Sequence, residues 1–288
     1  MIPEISALVE SMPQLRGRGA TIAPLTGGIT NRNYLIEAQG EAYVLRVAGA
    51  NTGLLGIDRM RECACAQAAA SVGVGPEVVA FLPEHPALLT RFCPGTVLKP
   101  EDAAHGDVLA RIVASLRLIH GGPASTGEFC GFETSRTYRQ MAADRNVATP
   151  PELDLALAAL ADIERSLGPS GPPRPCHNDL LPSNLIDTGQ HVWIIDWEYA
   201  AMGDPFFDLG NLAENHLLDP AQEAELLRLY FGSTREADLR RLRAMRAVSA
   251  LREATWGYLQ AGVSSLEFDF LGYAAGHLRR CLALVESA

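Results

Sequence analysis

The stretch CHNDLLPSNLIDTGQHVWIIDWEY, residues 176–199, constrains this chain more than any other. Two short apolar runs, 185–187 and 192–195, flank Thr188-Gly189-Gln190-His191, a turn signal, and so read as a β-hairpin. With the turn centred between Gly189 and Gln190, Asn184 falls opposite Ile195 or, with one residue of slip, Asp196. The hairpin then carries the side-chain oxygens of Asn184 and Asp196 together at one end, facing the loop that holds Asp179. Two hard oxygen ligands beside a third carboxylate suit Mg²⁺, which takes few protein ligands and completes its shell with water and phosphate. Asp179 can accept or orient the proton of an attacking hydroxyl. His177, two residues earlier, is a candidate catalytic group that reads better as a residue orienting the loop. This order of residues fits phosphoryl transfer, in which positioning and charge neutralisation dominate.

The rest of the chain divides into two kinds of pattern. Residues 21–25, 33–38 and 42–47 read as successive strands, with Gly27-Gly28 and Gln39-Gly40 as the turns between them. A helix is expected over 57–70, then strands over 77–81 and 87–92. After Pro94-Gly95 long helical periods take over, at 100–120, 136–147, 152–167, 220–231, 236–261 and 266–286. Asp204-Pro205 reads as the cap and first position of one more helix, followed by Asp208, Gly210 and Asn211.

Composition excludes several function classes. The 34 acidic residues outnumber 24 basic ones, and a formal charge of −10 repels nucleic acid and anionic membrane. No run of about 18 apolar residues exists. Glu4 and Glu10 interrupt the N-terminal segment where a secretion signal needs a basic start and an apolar core, so the expected location is the cytoplasm. The six cysteines are too sparse for a disulfide framework and lack paired C-x-x-C knuckles. They read as reduced small hydrophobes, without structural zinc.

HNDLLPSN followed by IIDWEY resembles the catalytic and metal-binding segments of the choline/ethanolamine kinase and aminoglycoside phosphotransferase superfamily. The likeness runs from about residue 25 to 260 and is most specific over 179–208. It implies a two-lobed α+β fold similar to protein kinases. Residues 1–93 would form a nucleotide-binding lobe with a small antiparallel sheet and one helix, and 94–288 a larger, mainly helical catalytic and acceptor-binding lobe. By this resemblance Asp179 is the catalytic base, Asn184 and Asp196 hold Mg²⁺, and Asp208 braces the catalytic loop.

Other segments fit the same family at lower specificity. LTGGITNRNYLIE resembles its phosphate loop, in which the backbone of Gly27 and Gly28, with Thr30 and Asn31, would approach ATP phosphates. YVLRVAG sets Arg46 where protein kinases carry the phosphate-contacting lysine, with Glu62 as its ion-pair partner. The other reading makes Arg46 an edge-strand surface charge. Arg91, Phe92 and Cys93 fall at the hinge, whose backbone would read the adenine edge.

Ala254-Thr255-Trp256-Gly257-Tyr258 resembles the choline-kinase segment whose aromatics enclose a quaternary ammonium. The family's second tryptophan is replaced by Leu259, with Tyr258 one place earlier. The family acid falls at Asn215, with Glu214 one residue short; Glu198 matches a further acidic position. Glu198, Glu214, Asn215, Trp256 and Tyr258 are thus the candidate acceptor contacts. The expected function is an ATP- and Mg²⁺-dependent kinase acting on the hydroxyl of choline or ethanolamine. The alternatives are thiamine (GGITNRNY and DWEYAAMGDP also look like bacterial thiamine kinase relatives), an aminoglycoside or a sugar, and a silent nucleotide-binding module.

Overall fold

A computed structural model describes residues 2–25, 31–49, 52–168 and 171–286. Gly27, Gly28 and Thr30 of the expected phosphate loop lie outside the described residues. The chain opens with a helix the strand-and-turn reading did not include, α1 (Ile2–Ser11). Its basis is legible afterwards: Ile5, Leu8, Val9 and Met12 recur at helical spacing, and they pack with Leu15 onto one face of a sheet.

That sheet holds β1 (Thr21–Leu25), β2 (Asn31–Ala38), β3 (Glu41–Ala48), β4 (Val78–Leu82) and β5 (Ala87–Arg91), in the antiparallel order β1-β2-β3-β5-β4. Gln39 and Gly40, at φ of 52° and 82°, make the two-residue turn that joins β2 to β3. Alternation along β3 then decides which side chains face the rest of the molecule. Tyr43, Leu45 and Val47 face the α1 core, so Val44 and Arg46 point to the opposite side. Because β3 is central, Arg46 is no edge-strand surface charge.

Helix α2 (Arg59–Ser71) follows a 3₁₀ turn at Thr52–Leu55 and is capped by Asp58, whose carboxylate accepts from the Met60 and Arg61 N–H groups. Its Cys63, Cys65, Ala66 and Ala69 belong to the core of the helical half rather than to the sheet's own core. Beyond β6 (Thr96–Val97), the expected helix over 100–120 is split. A 3₁₀ turn at Pro100–Ala104 ends at His105, which is extended (φ −80°, ψ 121°), and α3 (Gly106–His120) begins after it. Then come α4 (Gly131–Asp144), α5 (Pro151–Leu167), β7 (Arg174–Cys176), β8 (Leu185–Asp187), β9 (Val192–Ile194), β10 (Ala201–Gly203), α6 (Pro205–Asn215), α7 (Pro220–Phe231), α8 (Glu236–Val263) and α9 (Phe270–Glu286).

β8 and β9 pair Leu185 with Ile194 and Asp187 with Val192, the register expected from the Gly189 turn, and β6 pairs with β8 to link the sheet half to the hairpin. β7 and β10 form a second small ladder that brackets the loop between them. The architecture is therefore an antiparallel-sheet N-terminal part and a mainly helical C-terminal part. Close helix contact at α6–α8 depends on Gly210, where a Cβ would lie 2.6 Å from the Met245 backbone. Among the described residues, no helix is long and apolar enough to cross a membrane. The cysteines are unbridged, and all but Cys130 are buried.

Candidate active site

The loop carrying Asp179 is held chiefly through its backbone. Asp208 accepts from the His177 N–H at 2.8 Å and the Asn178 N–H at 2.7 Å, Asn211 accepts from the Leu180 N–H, and Asn215 Nδ2 donates to the Leu180 carbonyl at 3.5 Å. These three residues sit at i, i+3 and i+7, one face of α6. Asp208 is fully buried. Burial alone would raise its pKa, yet the His120 imidazole at 3.0 Å and the loop N–H groups hold it below the usual carboxylate value. His120, which in turn meets the Tyr230 hydroxyl at 2.6 Å, was not among the sequence candidates.

His177 is corrected as a catalytic group. Its Nδ1 accepts from the Asp179 N–H at 3.2 Å and its Nε2 meets the Ile195 carbonyl at 2.9 Å, so the ring ties loop to hairpin and has no nitrogen left for substrate. Burial lowers its pKa and keeps it neutral, in keeping with that tautomer. Asn178 and Asp196 both take φ of 66°, left-handed conformations held where the surroundings over-determine them.

The end of the hairpin sets Asn184 against Ile195 and the Asp179 loop. The Ile195 N–H donates to the Asn184 carbonyl at 3.0 Å, and Asn184 Nδ2 donates to the Asp179 carbonyl at 2.9 Å. The Asn184 amide nitrogen is thereby committed, which leaves its side-chain oxygen as the atom for a cation. Asp196 is a partly exposed carboxylate next along the strand. The donor set, one amide oxygen and one carboxylate oxygen open to water, fits Mg²⁺. Across from it, Arg46 pairs with both Glu62 and Asp196.

Arg59, which the sequence reading passed over, extends this network. It pairs with Glu62 at 2.5 Å and Glu198 at 3.1 Å, and donates to Asn31 Oδ1 at 3.0 Å. Asn31 Nδ2 in turn donates to Glu198 at 2.9 Å. Glu198 and Asn31, expected at the acceptor and at the phosphate loop, are both buried in the charge network at the start of α2. Beyond the i, i+3 pair with Glu62, the opening residue of α2 gave no local signal for this, because its other partners come from β2 and from beyond β9.

Two further expectations at the hinge and the acceptor side are revised. The Arg91 side chain pairs with Glu41 at 2.7 Å and Glu77 at 3.3 Å and lies over the Tyr43 ring, while the Arg91 and Phe92 N–H groups donate to Glu77 and Ala42 carbonyls within the sheet. Neither N–H is free for a base edge; Cys93 is buried, and burial pushes its thiol up to about 11. Glu214, one residue and about 100° around α6 from Asn215, points instead to Arg246 at 3.3 Å and Arg280 at 3.1 Å. Asn215 itself is spent on the catalytic loop.

Helix periodicity also separates Trp256 from Tyr258. About 200° apart on α8, they enter different cores. Tyr258 packs with Phe132, Leu153 and Leu160, whereas Trp256 joins Leu55, Ile57, Tyr138, Tyr199, Leu259 and Phe270. Leu259, where the family has its second tryptophan, shares the Trp256 cluster. Phe270 and Tyr273 meet Trp256 edge-on, at centroid distances of 5.9 and 5.7 Å. Their i, i+3 spacing on the last helix was the available signal for them.

This aromatic cluster abuts Asp179 through charged residues that belong to no motif of the sequence. Arg252 Nη1 lies 3.1 Å from Asp179 Oδ1 and also pairs with Glu253, and its guanidinium sits 4.3 Å from the Tyr199 ring centroid. Burial raises the Asp179 carboxyl well above its ordinary value; Arg252 opposes this, while Glu253, Asp196 and Glu198 add to it. The site thus offers a buried carboxylate of high proton affinity between an oxygen-lined hairpin end and an aromatic wall.

A family model described as "Phosphotransferase enzyme family" matches residues 21–245. Protein LicA of Haemophilus influenzae is 27% identical over 212 residues, 72% of this chain but only 62% of that protein, less than two thirds of its length. Ethanolamine kinase 1 of Mus musculus is 26% identical over 317 residues, 94% of this chain and 85% of that protein. The crystal structure of a choline/ethanolamine kinase family protein from Mesorhizobium loti is similar at a TM-score of 0.85 and 31% identity, over 99% of this chain and 95% of that one. The chain belongs to the phosphotransferase enzyme family, within the superfamily of choline/ethanolamine kinases and aminoglycoside phosphotransferases.

Proposed function

We propose that this phosphotransferase moves the γ-phosphoryl group of ATP to the hydroxyl of a small cationic amino alcohol, choline or ethanolamine first. The observation that carries the acceptor class is the aromatic wall of Trp256, Phe270 and Tyr273, joined to Asp179 through Arg252 and Glu253. Aromatic faces with carboxylates close behind them attract an ammonium group. The LicA and ethanolamine kinase likenesses support the same class.

In this reading the acceptor oxygen attacks the γ-phosphorus in line, the bond to the bridging oxygen breaks, and ADP leaves. Asp179 orients the hydroxyl and takes its proton, a role suited to a carboxylate whose proton affinity burial has raised. Arg46, held by Glu62, neutralises phosphate charge. Cys93 remains the candidate hinge contact for the base. Asn184 and Asp196 would hold Mg²⁺, which when bound supplies charge neutralisation on the phosphates.

A second reading keeps the chemistry and enlarges the acceptor, to thiamine, an aminoglycoside or a sugar. It is favoured by a cavity of about 950 Å³ that shares Leu55, Tyr138, Met141 and Tyr199 with the aromatic cluster. Incubation with ATP, Mg²⁺ and each acceptor, read as acceptor-dependent ADP release, tests both. Highest kcat/KM with choline or ethanolamine is the expected result. Highest kcat/KM with thiamine, an aminoglycoside or a sugar replaces the acceptor class, and no release with any acceptor leaves a silent nucleotide-binding module.

A further inference from the structure

Arg252 is the largest fully buried side chain among the described residues, at 2% exposure. Replacing a buried ion pair by packed apolar residues is often neutral or stabilising, so stability alone is a poor reason to keep an arginine there. Its contacts suggest a different one. Nη1 reaches both Asp179 Oδ1 and Glu253, the guanidinium stacks on Tyr199, and the other oxygen of Glu253 accepts from the Tyr273 hydroxyl at 2.7 Å. Tyr273 is also part of the wall around Trp256. A continuous series of contacts therefore runs from the aromatic wall through Tyr273, Glu253 and Arg252 to the Asp179 carboxylate. Meanwhile Nε and Nη2 of Arg252 are buried without a hydrogen-bond partner among the described residues, two donors left at the edge of the reacting centre.

We propose that Arg252 is a positioning residue for the transfer step: held by Glu253 and Tyr273, it fixes the Asp179 carboxylate by Oδ1 so that Oδ2 meets the acceptor hydroxyl. Seating of the acceptor against the wall and alignment of the base are then a single event. The inference rests on Asp179 being the base, as argued above. It differs from a purely structural role because misplacing a catalytic group by about 1 Å costs about 100-fold in turnover without touching nucleotide binding.

The test uses the full chain, with the acceptor that the wild-type protein turns over best. Arg252→Gln is expected to lower kcat about 100-fold with nucleotide Kd within about twofold. Arg252→Lys, which restores a cation between the two carboxylates, is expected to recover about tenfold of that loss. Tyr273→Phe, which removes one hydroxyl, is expected to lower kcat about fivefold, more than it raises acceptor KM. The proposal is overturned by Arg252→Gln with kcat within about threefold of wild type, by a loss confined to nucleotide Kd, or by Arg252→Lys no better than Arg252→Gln. If Arg252→Gln does not fold, Tyr273→Phe decides, and an unchanged kcat overturns it. Wild-type turnover keeps the two readings apart: no turnover with any acceptor defeats the kinase reading, whereas turnover insensitive to these variants defeats only the role of Arg252.

Discussion

The loop and hairpin of residues 177–196 and the aromatic wall beside them are built in opposite ways. In the first, a short segment dictates its own geometry. The Gly189 turn sets the register of β8 and β9, and one face of α6 takes up the backbone N–H groups of His177, Asn178 and Leu180. In the second, Leu55, Tyr138, Tyr199, Trp256 and Phe270 come from five separate segments, and nothing local fixes their order in space. In the proposed reading the chemistry sits where sequence-near residues specify it, and selection of the acceptor sits where only tertiary packing does. Reaction type and acceptor are therefore legible to different degrees.

The sharpest way to break that division is at Asp179. Asp179→Asn is expected to lower turnover by roughly 100- to 10,000-fold with nucleotide binding retained, measured as kcat and as nucleotide Kd. The same variant carries a second readout with a definite sign. Burial raises this carboxyl from 3.8 to about 8, so its ionisation costs the folded state stability that is fully present below about pH 4 and is lost as pH rises through the folded value. Asparagine does not titrate. Thermal unfolding should therefore show Asp179→Asn gaining on wild type as pH increases from about 4 to about 8. A variant that loses activity and also loses stability with rising pH would contradict the strained-base picture.

The loop's side of the comparison is tested at its brace. Asp208→Ala leaves the His177 and Asn178 N–H groups and His120 buried without their acceptor. The expected cost is about 3–5 kcal/mol of folding stability, a fall in Tm of about 10 °C, measured by thermal and denaturant unfolding. Asp208→Asn keeps one acceptor oxygen and should lose less. Equal losses in both variants would mean that side-chain volume, rather than hydrogen bonding to the loop, is what α6 supplies.

Legibility follows the same physical line. The pairing of Asn184 with Ile195, one residue before Asp196, was legible because a two-strand register with a known turn leaves one residue of freedom. Arg46 and Glu62 meet because strand alternation and a following helix leave few other faces for them. Arg59 and Arg252 were missed because their partners lie as far as 139 and 73 residues away, and a charge on a helix looks the same whether solvent or an ion pair awaits it. Glu214 and Tyr258 were misassigned by a single helical step. Family spacing tolerates such a shift, but a helix turns it into about 100° of rotation, enough to face another layer.

That rotation gives the finest test, a contrast between two aromatic residues on α8. Trp256→Leu removes the ring against which an ammonium would lie, with apolar volume partly kept, and is expected to raise acceptor KM roughly 5- to 30-fold with nucleotide KM unchanged. Tyr258→Phe removes only a hydroxyl on the opposite face, within the core formed with Phe132 and Leu153, and should change neither KM by more than about twofold. Steady-state kinetics against both substrates read the pair side by side. If Tyr258→Phe weakened the acceptor as much as Trp256→Leu, the wall would have to include the other face of α8. If neither variant moved acceptor KM, the aromatic cluster would be packing alone. The cation would then have to be recognised from the cavity of about 950 Å³ that Tyr138 and Tyr199 help to line.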